Sequence, residues 1–206
     1  MGCLTTVLVI WGIYKWTGGG GEILPASTPE YGNVTLGDQS YRTIELDGLT
    51  WMAENLNYEV VDSWCYENKS SNCNKYGRLY NWEAANKACQ TVGWHLPTDQ
   101  EWQEMAKLYG GADDDANEGG KAAFQALIKD GKSGFNALLG GWRSTNGSFA
   151  YLGFNGRYWS ATEDTAGYAW YYDFYRSYDK LYRDYDNKSL GFSCRCVKGA
   201  PSNGID

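Results

Sequence analysis

Proline is scarce, at 4 of 206 residues, and so is histidine, with His95 the single imidazole. The first scarcity leaves little room for polyproline structure. The second, together with the lack of any C-x-x-C pair among six cysteines, means that the usual zinc ligand sets cannot be assembled at ordinary spacing, so no structural metal is expected. A basic surplus is missing too: the formal net charge is −7, which removes the electrostatic footprint of a nucleic-acid binder. Uncharged runs are short. The longest apolar stretch, residues 1–14, would reach about 21 Å as a helix, against a hydrocarbon layer of roughly 30 Å. It has no basic n-region ahead of it, as a secretory signal would.

What is abundant is ring surface and glycine. Ten Trp, 17 Tyr and 26 Gly in 206 residues describe a folded chain with a substantial core and prominent loops, not a disordered one. Cysteine in an acidic, Tyr-rich and Trp-rich chain fits an oxidising compartment, so an extracellular or cell-surface location is expected.

Composition sets the start of the chain apart from the rest. Residues 1–21 form an apolar, β-branched segment with a run of four glycines at its end, suited to anchoring at a membrane or to self-assembly through residues 1–16. The opening Met-Gly-Cys-Leu-Thr-Thr also fits an acylation pattern of low specificity. Residues 22–30 have a linker composition, with two prolines and a Ser-Thr pair, and the folded domain is expected to begin near Tyr31. In the domain, alternation and turn signals predict strands at 33–36, 41–46 and 49–52. Leu79, Trp82, Ala85 and Cys89 lie on one helical face. Thr98 to Glu101 is a capping box that opens a second helix carrying Trp102, Met105, Ala106 and Tyr109. A third helical stretch is expected at 121–129. Asp113, Asp114, Asp115 and Glu118 between them lack the spacing of a calcium loop and read as a solvated acidic loop. Further strands are predicted at 157–161, 168–175, 180–185 and 192–197. Strands, helices, then strands make an α+β fold.

Many phrases resemble one family. They include Leu49-Thr-Trp-Met-Ala-Glu-Asn-Leu-Asn57, Ser63-Trp-Cys-Tyr66, Gly93-Trp-His-Leu-Pro-Thr98 with Glu101-Trp102, Gly140-Gly-Trp-Arg-Ser144, Tyr158-Trp-Ser-Ala-Thr162 and Gly191-Phe-Ser-Cys-Arg-Cys-Val197. In this order they are similar to the Fibrobacter succinogenes major paralogous domain, and the resemblance implies a domain over residues 41–198, with residues 22–40 as linker and first strand and residues 199–206 as a tail. That family resembles the C-type lectin-like fold of formylglycine-generating enzymes and of the variable proteins of diversity-generating retroelements. The resemblance implies two main helices, a small twisted antiparallel sheet and long irregular loops presenting a ligand face. It further implies disulfides Cys65–Cys73 and Cys89–Cys196, with Cys194 left as a buried thiol or paired to Cys3. Cys194 and Cys196 are not expected to share one partner site.

No catalytic centre is expected. The oxidase relatives use two cysteines near the C-terminus to hold copper, and no cysteine falls between Trp170 and Gly191. His95, between Trp94 and Leu96-Pro97, reads as a structural, hydrogen-bonded residue. No cofactor is implied. Binding has the positive signal, because nine of the 17 tyrosines lie between Tyr151 and Tyr185, interleaved with Asp, Asn and Ser. Tyr offers broad contact area at low entropy cost, and the short polar residues offer adaptable hydrogen bonds. Alternation puts Trp170, Tyr172 and Phe174 on a core face, and Tyr171, Asp173 and Tyr175 on an exposed one. With Tyr168, Tyr178, Tyr182 and Asp184, the second set is the expected contact surface for a protein or carbohydrate ligand. The competing readings are that these tyrosines only complete a sheet, or that the protein is a fibre-forming surface component assembled through its apolar start.

Overall fold

The computed structural model describes residues 28–114 and 119–199. Residues 1–16, with their anchoring or assembly role, lie outside the described residues, as do Cys3, Asp115 and Glu118. No helix among the described residues is long and apolar enough to cross a membrane.

The chain begins as a meander of β1 (Gly32–Leu36), β2 (Gln39–Leu46) and β3 (Leu49–Met52). The turn between β2 and β3 is Asp47-Gly48, both at positive φ, which matches the twist of an antiparallel pair. The last strand, β12 (Val197–Gly199), adds antiparallel to β3, so both ends of the domain meet in one four-stranded sheet. Alternation sends Ile44, Trp51 and Val197 into one packed cluster, while Leu36, Tyr41 and Met52 enter another.

A six-stranded sheet runs in the order β10, β9, β8, β11, β5, β4. Its strands are β4 (Ser63–Trp64), β5 (Leu79–Tyr80), β8 (Asn155–Thr165), β9 (Tyr168–Tyr175), β10 (Lys180–Asn187) and β11 (Phe192–Ser193). Every neighbour is antiparallel except β8 with β11. β6 (Trp142–Arg143) and β7 (Phe149–Ala150) pair as a two-stranded ribbon, joined to the residues before β11 by reciprocal backbone bonds between Arg143 and Gly191. With four α-helices and several antiparallel sheets among the described residues the fold is α+β, and its main sheet is larger than the small one expected.

The helices are α1 (Ser70–Tyr76), α2 (Trp82–Thr91), α3 (Asp99–Lys107) and α4 (Lys121–Leu127). The expected apolar face of α2 is present from Trp82 onward, but Leu79 belongs to β5. Asn81 caps the helix by accepting from the Ala84 amide at 2.8 Å, which fixes the start after Leu79. The capping box at Thr98 and Glu101 forms as read, whereas Tyr109 falls past the end of α3. α3 also locks the main sheet in place. Trp102 stacks on Tyr172 with centroids 4.8 Å apart, and its indole N–H donates to the Trp159 carbonyl at 3.3 Å.

The expected single strand at 192–197 is two short strands, because residues 194–196 leave the sheet. Arg195 is the physical reason: it is 1% exposed and must find acceptors inside the protein. Its guanidinium donates to Asn55 Oδ1 at 2.9 Å, to the Met52 carbonyl at 3.3 Å, to the Phe135 carbonyl, and to the Asn136 carbonyl at 2.6 Å. Both implied disulfides are present, Cys65–Cys73 and Cys89–Cys196. On chain-entropy grounds the short loop contributes about 2.5 kcal/mol and the long one about 5.

Candidate functional site

Register and alternation define the two faces of the β8–β9–β10 unit. Tyr171 pairs with Asp184 and Trp159, Asp173 with Tyr182 and Arg157, and Tyr175 with Lys180 and Asn155. All of these side chains therefore share one face, as the sequence pattern predicts for the β9 residues. The opposite face carries Tyr158, Tyr172, Phe174 and Leu181 into the core beneath α3 and α4.

A cleft of about 670 Å³ lies along the polar face and the outer edge of β10. Six of the seven expected contact residues line it: Tyr171, Asp173, Tyr175, Tyr178, Tyr182 and Asp184. Tyr168 does not. It stands at the other end of β9, 43% exposed and packed edge-on against Tyr185.

The expected exposure of this face needs correcting at two positions. Tyr171 is only 4% exposed and Asp173 only 5%. β9 is an interior strand, and long side chains from its neighbours fold over it. Arg157 on β8 lies 5.1 Å from the Tyr171 ring centroid, 4.8 Å from that of Trp142 and 5.4 Å from that of Phe192. It also donates to Asp173 at 3.2 Å and reaches Asp186 at 3.5 Å. Asn155 donates to both oxygens of Asp173, at 3.0 and 2.8 Å. Burial still holds the Asp173 carboxyl above its ordinary range, against the pull of Arg157 and Asn155. Burial likewise raises Tyr171, with Arg157 opposing and Asp184 adding to the rise. Tyr171 and Asp173 form the floor of the cleft; Tyr175, Tyr178, Tyr182 and Asp184 form its rim.

Trp170, expected in the core, is half-buried and joins the lining instead. Arg183 lies 3.5 Å over its ring, and the same guanidinium forks onto Asp99 with two bonds of 2.8 Å. Asp99 also accepts from the Tyr172 hydroxyl at 3.0 Å, and Tyr172 is the register partner of Arg183, so the first turn of α3 ties β9 to β10 on the face away from Tyr171 and Asp173. The sequence reading missed Arg157, Arg183 and Tyr185. The first two sit at alternating positions in predicted strands, but only cross-strand register shows which carboxylates they meet.

The acidic loop also approaches the cleft. Asp113 accepts from Lys180 Nζ at 2.6 Å, and its backbone bridges β10 through Leu181 and Arg183. Asp114 lies 4.0 Å from Arg183. His95 bonds Glu101 at 2.8 Å, inside the capping box, which occupies it structurally.

One expectation about the cysteines is overturned. Cys194 and Cys196 converge, because side chains two positions apart on an extended chain point to the same side. The sulfurs of Cys89, Cys194 and Cys196 all lie within 4.8 Å of one another, fully buried. Cys89 and Cys196 are bonded, so the cluster offers one thiol, Cys194, which burial pushes far above its ordinary pKa.

No curated protein and no solved structure matches the chain. The family model of the Fibrobacter succinogenes major domain matches residues 44–198, which run from the last residues of β2 through the four helices and the cleft strands into β12. The chain is therefore a member of the Fibrobacter succinogenes major domain family.

Proposed function

We propose that this protein is a non-catalytic recognition module, working outside the cytoplasm, that holds a protein or glycan ligand in the cleft along β9 and β10. The observation that carries this reading is the gathering of Tyr171, Asp173, Tyr175, Tyr178, Tyr182 and Asp184 around one concave surface. A rigid floor is built from buried bonds, and rings and carboxylates stand around it. Such a surface binds by contact area and hydrogen bonding, with little ordering of the protein on capture.

Two further observations support parts of it. The Cys65–Cys73 and Cys89–Cys196 bonds fit an extracellular or cell-surface setting. The meeting of the first and last strands in one sheet, and the bond from α2 to the residues before β12, fit the C-type lectin-like fold. Non-catalysis is favoured by the occupation of the single imidazole in the Glu101 bond and by the pairing of two of the three clustered sulfurs.

The test is a screen of the intact protein against protein and glycan arrays, beside Tyr178→Ala and Tyr182→Ala. Both rings stand on the rim, so their loss should spare folding while lowering capture. A ligand captured equally by all three proteins would place recognition elsewhere.

A further inference from the structure

Three phenol rings close one end of the cleft. Tyr175 ends β9, Tyr178 lies in the turn that follows, and Tyr182 stands on β10. Their centroids are 5.0 Å apart for Tyr175 and Tyr178, 6.3 Å for Tyr175 and Tyr182, and 6.5 Å for Tyr178 and Tyr182. The interplanar angles are 84°, 57° and 85° in the same order, so the rings stand steeply to one another like adjoining walls of an open corner. A group seated there lies within about 6 Å of all three centroids, the range over which an aromatic ring attracts a cation. Tyr178 is 62% exposed, and the corner opens to solvent.

The charges around it are unbalanced. Asp113, Asp114, Asp173 and Asp184 line the cleft, against Arg157 and Arg183. Both arginines are committed: Arg157 to Asp173 and Asp186, Arg183 to Asp99 and Asp114. Lys180 is held by Asp113, and its ammonium already lies over the Tyr182 ring at 5.9 Å from the centroid, at the outer limit of that range. This leaves Tyr175 and Tyr178 as the two rings of the corner with no cation of the described residues over them. Asp184 is different. It accepts from the Tyr185 amide at 2.8 Å and from the Tyr171 hydroxyl at 3.4 Å, and it makes no ion pair among the described residues. Two residues from Tyr182 on the same strand face, it is a carboxylate without a cation beside a corner of π-faces.

We propose that this corner takes the cationic side chain of an arginine or lysine from a protein partner, with the charge against Tyr175, Tyr178 and Tyr182 and with Asp184 as counter-ion. The proposal rests on the recognition reading above and narrows its ligand to a basic protein surface. The chain's net charge of −7 draws the same class of partner over longer range.

The intact protein is titrated with N-acetyl-arginine amide and with tetramethylammonium chloride, while tyrosine ring resonances are followed by NMR. N-acetylglucosamine and N-acetyl-glutamate amide serve as neutral and anionic controls at matched ionic strength. Saturable shifts confined to Tyr175, Tyr178 and Tyr182, with the cationic probes alone, are the expected result. Tyr178→Ala and Asp184→Asn should each weaken binding about fivefold with an unchanged thermal midpoint. Shifts absent with both cations, or equal with the controls, overturn the cation corner. The arrays separate this from the broader reading. A neutral glycan or acidic protein whose capture is lost in Tyr178→Ala overturns the cation corner and leaves recognition standing; an absence of any ligand sensitive to the rim variants overturns both.

Discussion

The Sγ atom of Cys194 lies 3.4 Å from that of Cys89, although Cys89 is already bonded to Cys196. Cysteines two positions apart reach the same partner because extended backbone turns their side chains to one side and sends Arg195 between them to the other. Replacing Cys196 by Ser should therefore let Cys89 pair with Cys194, giving a folded protein with a relocated bond. Non-reducing peptide mapping would show a Cys89–Cys194 linkage. A variant with both thiols free would mean that the 3.4 Å approach is not a bonding geometry. In the parent protein the buried Cys194 thiol should resist iodoacetamide until the chain is unfolded.

Arg195 itself ties the end of the chain to three other segments. Its donors reach Asn55, Met52, Phe135 and Asn136, and its guanidinium lies 4.3 Å from the Phe135 ring centroid. Desolvation lowers its pKa, with nearby Tyr158 opposing. Arg195→Ala would orphan several buried acceptors at once and should cost on the order of 4 kcal/mol, or about 10 °C in thermal midpoint. Arg195→Lys keeps the charge but not the fork, and should recover only part of that loss. Equal midpoints for the parent and Arg195→Ala would show that water can replace the fork.

Much of this architecture is legible in the sequence because its signals are local. The capping box at Thr98, the Asp47-Gly48 turn and the β9 alternation each depend on a few neighbouring residues. The alternation placed Tyr171 and Asp173 on the correct face, yet their exposure depends on Arg157, which comes from β8. Trp170 reversed the error: alternation put it with Tyr172 and Phe174, but the core stops short of that end of the strand. The helix at Ser70–Tyr76 had no signal, since Ser70-Ser-Asn-Cys-Asn has neither apolar period nor strong propensity. It is held instead by the Cys65–Cys73 bond and by Asn72, which donates to the Tyr66 carbonyl at 2.9 Å.

The Arg183 fork onto Asp99 joins β10 to the first turn of α3. It is bidentate, largely shielded from water, and shared with the Tyr172 hydroxyl. Arg183→Ala should cost about 2 kcal/mol, lowering the thermal midpoint by roughly 5 °C. It should also move the Trp170 indole resonance, because the guanidinium over that ring disappears. A midpoint within a degree of the parent would show that the fork is screened like an ordinary surface pair.

Asp173 provides a pH test of the cleft floor. Burial raises its carboxyl above the ordinary value of 3.8 in the folded protein, despite the opposing bonds from Arg157 and Asn155. The folded state thus favours the protonated acid more than the unfolded chain does. The resulting stability is fully present below the ordinary pKa and is lost as pH rises through the folded value. Asp173→Asn removes the titration and leaves other groups in place, so the comparison isolates it. Urea unfolding across about pH 3 to pH 7 should show the parent losing stability relative to Asp173→Asn as pH rises from the acid end. If the difference instead favoured the parent increasingly with pH, the Arg157 pair would outweigh burial, and the floor would be held by charge rather than tolerate it.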